Sequence, residues 1–65
     1  MFGLSNHDHK YVIKNMSSDM WMLVGTFNVT QVGRDEATKF ASYDAAASAI
    51  DGLPGSPEKY EVEPY

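Results

Sequence analysis

The only histidines of the chain flank an aspartate, as His7-Asp8-His9. Two imidazoles and a carboxylate are ligands that Zn²⁺ or Ni²⁺ accepts. The chain has no cysteine, and no further histidine follows to complete a set. The triplet therefore reads as solvated side chains on a terminal arm, and neither a metal nor another cofactor is expected. Nucleophilic catalysis needs a base within hydrogen-bond reach of the nucleophile. Ser17, Ser18, Ser42, Ser48 and Ser56 have no histidine nearby in sequence, and no phosphate-cradling glycine motif is present. The carboxylate pairs Asp35-Glu36 and Glu61/Glu63 fall in segments that read as an exposed turn and an exposed strand face, where water solvates both members. These residues predict a protein that is not an enzyme.

The remaining chemical signal is charge. Up to Arg34 the chain carries Asp8 and Asp19 against Lys10, Lys14 and Arg34, a balance of +1. Beyond Arg34 it carries Asp35, Glu36, Asp44, Asp51, Glu58, Glu61 and Glu63 against Lys39 and Lys59, a balance of −5. A net charge of −4, with five dispersed basic residues, is the wrong sign for binding phosphates directly. It suits a protein partner with a basic surface. Glu61 and Glu63 would stand about 6.6–6.8 Å apart along a strand, close to the spacing of successive backbone phosphates. Asp44, Ser48 and Asp51 fall at helical three- and four-residue spacing and form a ridge. Glu61, Glu63, Asp44 and Asp51 are thus candidate partner-binding residues. The plainer alternative is that alternating charge on an edge strand guards against aggregation.

A second candidate surface is apolar. Residues 20–32 form the longest apolar-rich stretch, with Trp21, Leu23, Phe27 and Val29 at odd positions expected to face the core. Met20 and Met22 would then lie on the opposite face, near Met16. One helix cannot cover both faces of a sheet, so the Met20-Trp21-Met22 region is a candidate contact with a partner or with a second copy. Alternatively, Phe2 and Leu4 of the arm fold back over it.

Size and residue pattern indicate the secondary structure that carries these side chains. A 65-residue chain buries only about 60% of its unfolded surface, which leaves little room for an enclosed pocket. Residues 1–9 lack any period and read as a flexible arm; residues 10–65 read as a single domain. Lys10-Tyr11-Val12-Ile13-Lys14-Asn15 is a strand signal, and Ser17-Ser18-Asp19 suits a hairpin connection. Residues 20–32 read as one strand with Gly25 marking a bulge or a close backbone approach. Ala37-Thr38-Lys39-Phe40 reads as a third. Ser42 is an N-cap, and Tyr43, Ala46, Ala47 and Ile50 face the sheet at helical spacing. Gly52 suits a left-handed helix end, followed by Leu53 and Pro54. Lys59-Tyr60-Glu61-Val62-Glu63 alternates as a half-buried strand with Tyr60 and Val62 inward. The expected fold class is α+β: a small, mainly antiparallel sheet of three to four strands with one helix on one face, in the order β-β-β-α-β. A crossover through the helix would set the last strand parallel to the third or to the first.

No apolar run is long enough to span a bilayer, the N-terminus lacks the pattern of a signal peptide, and cysteine is absent. These features predict a cytoplasmic protein with no membrane partner. In length, acidity, lack of cysteine and the plain plan from Lys10-Tyr11-Val12-Ile13 to Tyr60-Glu61-Val62-Glu63, the whole chain resembles small accessory proteins of phages and mobile elements, including anti-CRISPR proteins. The resemblance carries no shared motif, so it assigns no residue. It implies a stoichiometric inhibitor in the host-cell cytoplasm that blocks a basic nucleic-acid-binding groove of a defence complex. The alternative expectation is a structural or regulatory module, monomeric or homodimeric, that binds through the Met20-Trp21-Met22 region.

Overall fold

The computed structural model describes residues 10–65. Residues 1–9, expected as a flexible arm and including His7, His9, Phe2 and Leu4, lie outside the described residues. Four strands, β1 (Tyr11–Asn15), β2 (Met20–Val24), β3 (Val29–Val32) and β4 (Tyr60–Pro64), form one sheet in the order β3-β2-β1-β4. Every pairing is antiparallel. Among the described residues one α-helix, α1 (Tyr43–Ile50), joins β3 to β4, with one-turn 3₁₀ segments at Arg34–Glu36 and Pro57–Lys59. The fold is the expected α+β arrangement with β-β-β-α-β order.

The β1–β2 connection is built as its polar residues suggest. Asn15 is buried, and its side-chain oxygen accepts from the backbone N–H groups of Ser17 at 2.9 Å and Ser18 at 3.3 Å. Asp19 closes the turn at φ 62°, a left-handed conformation that aspartate tolerates better than most residues.

The stretch at residues 20–32 is two strands rather than one. Gly25 N–H donates to the Asn28 carbonyl at 2.8 Å, closing a hairpin between β2 and β3. A Cβ at Gly25 would stand 3.1 Å from that carbonyl oxygen, so the close approach expected at this glycine is real and is made by the turn. Residues 37–40 are not a full strand of the sheet. They form an extended strap between β1 and β2, whose own ladder pairs only Lys14 with Trp21 and Asn15 with Met20. Beyond that point the strap supplies the bonds. Thr38 N–H donates to the Met22 carbonyl at 3.1 Å, and Thr38 Oγ1 accepts from Val24 N–H at 2.7 Å. On the other side Phe40 and Tyr11 exchange both backbone bonds, at 2.8 and 2.9 Å, as an antiparallel bridge.

The extra reversal at Gly25 also decides the direction of β4. The strap runs antiparallel to β1, and α1 returns the chain so that β4 is likewise antiparallel to β1. The last strand therefore runs in the same sense as the strap, with β1 between them. A parallel pairing of β4 with β1 does not occur.

The strand faces follow from the pairing register, because directly opposed residues share a face. Lys14 opposite Trp21 and Glu61 places these three on one side. Ile13, Met22, Val24, Tyr60 and Val62 therefore face the other, towards Ala46 and Leu53 of the core, flanked by Ala49, Ile50 and Phe40. This reverses the expected assignment for β2. Met22 is only 3% exposed and sits in the core, while Leu23 is 40% exposed and Phe27 96%. Alternation alone could not choose between two faces that were both apolar. The strap and α1 chose the even one.

Ser42 Oγ accepts from Ala45 N–H at 3.1 Å, the expected cap of α1. Ala46 is fully buried, and its small side chain lets the helix lie close on the sheet. The helix closes through tight turns, with the Gly52 and Leu53 N–H groups donating to the Ala49 and Ile50 carbonyls at 3.1 and 3.0 Å. Gly52 therefore does not take the left-handed position expected of it. That conformation belongs to Gly55, at φ 86°. Leu53 is buried as expected, and Tyr60 Oη donates to the Pro54 carbonyl at 2.6 Å, tying the loop to β4.

Replacing Thr38 with valine keeps its shape but removes the oxygen that serves Val24 N–H. Thr38→Val is expected to lower the unfolding free energy by about 1 kcal/mol, the low end of the penalty for an unmet donor because the site is only partly buried, and Thr38→Ser to retain most of it. Chemical denaturation of the two variants checks this.

Candidate interaction surfaces

The sheet face opposite α1 carries Val12 and Lys14 of β1, Trp21 and Leu23 of β2, Thr30 and Val32 of β3, and Glu61 and Glu63 of β4. Glu63 is held within the chain. Its Oε1 accepts from Trp21 Nε1–H at 2.8 Å and lies 3.7 Å from Arg34 Nε, and its side chain is 29% exposed. Lys14 stands between strands, with Nζ 2.8 Å from Asp19 Oδ1 and 5.2 Å from the centre of the Trp21 ring. The hydrogen bond to Asp19 raises the Lys14 pKa above its ordinary value, with the charges of Asp19, Glu63 and Glu61 adding to it and burial opposing it. Glu61, opposite Lys14, is exposed.

Around Arg34 the chain forms a clasp on Tyr65. The Arg34 guanidinium lies 4.7 Å from the centre of the Tyr65 ring, and Lys39 Nζ lies 4.5 Å from it. Arg34 donates to the backbone oxygens of Pro64 at 2.9 Å and Tyr65 at 2.5 Å. Tyr65 Oη donates to Asp35 Oδ1 at 2.9 Å. That hydrogen bond, reinforced by burial and the Asp35 charge and opposed by Arg34, pushes the Tyr65 phenol above its ordinary pKa. Asp35, expected only to build a turn, thus joins Arg34 in anchoring the end of β4. This clasp and the Trp21–Glu63 bond were not found in the sequence. Both join residues some thirty to forty positions apart, and no local spacing signals such a pair.

On the opposite side of the sheet, Asp44, Ser48 and Asp51 are all exposed along α1. The ridge expected from helical spacing exists. It does not join Glu61 and Glu63, because α1 packs on the face containing Ile13 and Tyr60 while the two glutamates project from the other. The expected single acidic surface is therefore divided between two sides of the molecule.

The apolar candidates divide too. Met22 belongs to the core and is withdrawn from any contact surface. Met20 is 37% exposed and Met16 50%. Phe27, at the tip of the β2–β3 hairpin, is the most exposed large apolar residue among those described, and it was expected inside. Hairpin residues 25–33 contain no charged side chain.

Among the described residues no group of three or more carboxylates and histidines is arranged to hold a metal ion. No helix among them is long and apolar enough to cross a membrane.

Glu61 and Glu63 therefore have distinct expected roles in stability. Glu63→Lys removes the acceptor of Trp21 and places like charge beside Arg34, so a loss of about 1–3 kcal/mol is expected. Glu61→Lys, on an exposed position, should stay within about 0.5 kcal/mol of the parent. Urea unfolding followed by Trp21 fluorescence distinguishes them. Comparison of the chain with protein-family models, with curated proteins and with solved structures found no match, so its functional reading rests on these surfaces.

Proposed function

We propose that the chain is a non-enzymatic protein-binding module whose contact centres on the β2–β3 hairpin, with Phe27 as its anchor. The observation that carries this reading is the 96% exposure of Phe27 in a chain too small to spare large apolar side chains from its core. Burying one phenylalanine against a partner contributes about 1.5–3 kcal/mol, and phenylalanine is among the residues enriched in protein interfaces. Leu23, exposed on the same hairpin, extends the apolar contact.

A second form of the reading is an inhibitor of the anti-defence type that enters a basic groove. It is favoured by Asp44 and Asp51, both exposed on α1. Asp51 stands at the helix C-terminus, and the last turn has no basic residue. The helix dipole disfavours an anion there, and a basic partner would relieve that placement. In either form the working compartment is the cytoplasm, that of the host cell if the chain is phage-encoded. The partner is a protein, bound by one copy or by a pair.

The test is affinity capture from a host lysate at two salt concentrations, followed by affinity measurement on the captured partner. Phe27→Ser is expected to weaken binding by about tenfold or more with an unchanged melting curve. Joint reversal of Asp44 and Asp51 to lysine should weaken binding most at low salt if a basic groove is the target. Full binding by Phe27→Ser would overturn the hairpin reading.

A further inference from the structure

The two edges of the sheet are not alike. β4 carries Glu61, Glu63 and Pro64, devices that keep an edge strand from pairing with another chain. β3, Val-Thr-Gln-Val, has no charge, no proline and no bulge. Among the described residues nothing pairs with its outer side.

The groups β3 presents there follow from its pairing with β2. Gly25 and Asn28 form a hydrogen-bonded pair at the turn, and such pairs alternate along an antiparallel ladder. Thr30 and Val32 therefore bond inward to Leu23 and Trp21, whereas the backbone N–H and C=O of Val29 and Gln31 point outward. The strap confirms this phase, since the Met22 carbonyl and Val24 N–H, which are opposite Gln31 and Val29, face away from β3 and bond to Thr38.

We infer that the β3 edge pairs with the same edge of a second copy, joining two sheets into one about a two-fold axis through Thr30. Antiparallel pairing of identical strands requires an axis perpendicular to the sheet, so residues of like face must oppose one another. The register that uses only residues within β3 sets Val29 opposite Gln31 of the other copy, and Gln31 opposite its Val29. Each outward N–H then meets an outward C=O, and Thr30 meets its own counterpart. Charge also favours this occupant. On a chain of net charge −4, the uncharged hairpin is the surface where two copies approach with least repulsion. A four-residue edge buries well below the roughly 1,200 Å² typical of a stable complex, so the dimer is expected to be weak and concentration-dependent. The register leaves Phe27 outside the paired strands, so this inference stands apart from the partner reading.

Thr30 allows a direct test. At the axis the two Thr30 Cα atoms would lie about 4.5 Å apart, as in any pair not joined by backbone hydrogen bonds. Sedimentation equilibrium of the whole chain from about 10 μM to about 1 mM, the range in which a weak pair forms, is expected to show wild type moving from monomer to dimer. Thr30→Lys and Thr30→Glu should each remain monomeric, because like charges oppose directly, and an equimolar mixture should recover the dimer. Circular dichroism melts confirm that both variants fold. A wild type that stays monomeric, single variants that still dimerise, or a mixture that fails to associate while both variants are folded would overturn the inference.

Discussion

The strap formed by residues 37–40 bridges β1 and β2 where their own ladder stops, through the Thr38 bonds to Met22 and Val24 and the Phe40–Tyr11 bridge. β1 and β2 pair with each other only beside their turn, and Thr38 and Phe40 supply the bonds that hold them further along. Without the strap, Met22 C=O, Val24 N–H and both backbone groups of Tyr11 would lose these partners. The cost of leaving such groups unmet in a partly buried site is about 1–3 kcal/mol each, which is large for so small a domain. The strap also carries the chain from the Arg34–Glu36 turn to the cap of α1 at Ser42. It thereby sets where Arg34 can reach Glu63 and Tyr65, and where Ala46 meets the sheet.

Much of this was legible in the sequence. Ser42 as cap, Leu53 as the buried residue after the helix, Tyr60 and Val62 inward on the last strand, and the Ser17-Ser18-Asp19 turn all depend on local chemistry. A single long strand at residues 20–32 and odd residues inward on β2 both fail on a reversal or a face, which long-range pairing decides; of the two strands the last was expected to parallel, it runs in the sense of the third segment, the strap, and against β1. Met20, Trp21, Met22, Leu23 and Val24 offer two apolar faces, and only the register with Lys14 and the covering strap distinguish them. Gly25 was recognised as special, but a bulge and a hairpin turn ask for the same residue.

The candidate site was less legible than the fold for the same reason. Asp44 and Asp51 stand exposed on one helix, as spacing indicates. Glu61 and Glu63 share a face, yet Glu63 is engaged by Trp21 and Arg34, neither of which is near it in sequence. The charge asymmetry of the chain therefore does not become one acidic surface. Phe27, placed inside on periodicity, stands at a hairpin tip, and the uncharged β3 edge emerged only once the hydrogen-bond phase of the sheet was known.

The strap is an integral part of the sheet and not a surface loop. Backbone amide hydrogen exchange measured residue by residue tests it most directly. The N–H groups of Tyr11, Val24, Thr38 and Phe40 are expected to exchange as slowly as that of Val12, which lies in the β1–β4 ladder, through the same opening event. Fast, loop-like exchange at Thr38 and Phe40 beside a protected Val12 would contradict it.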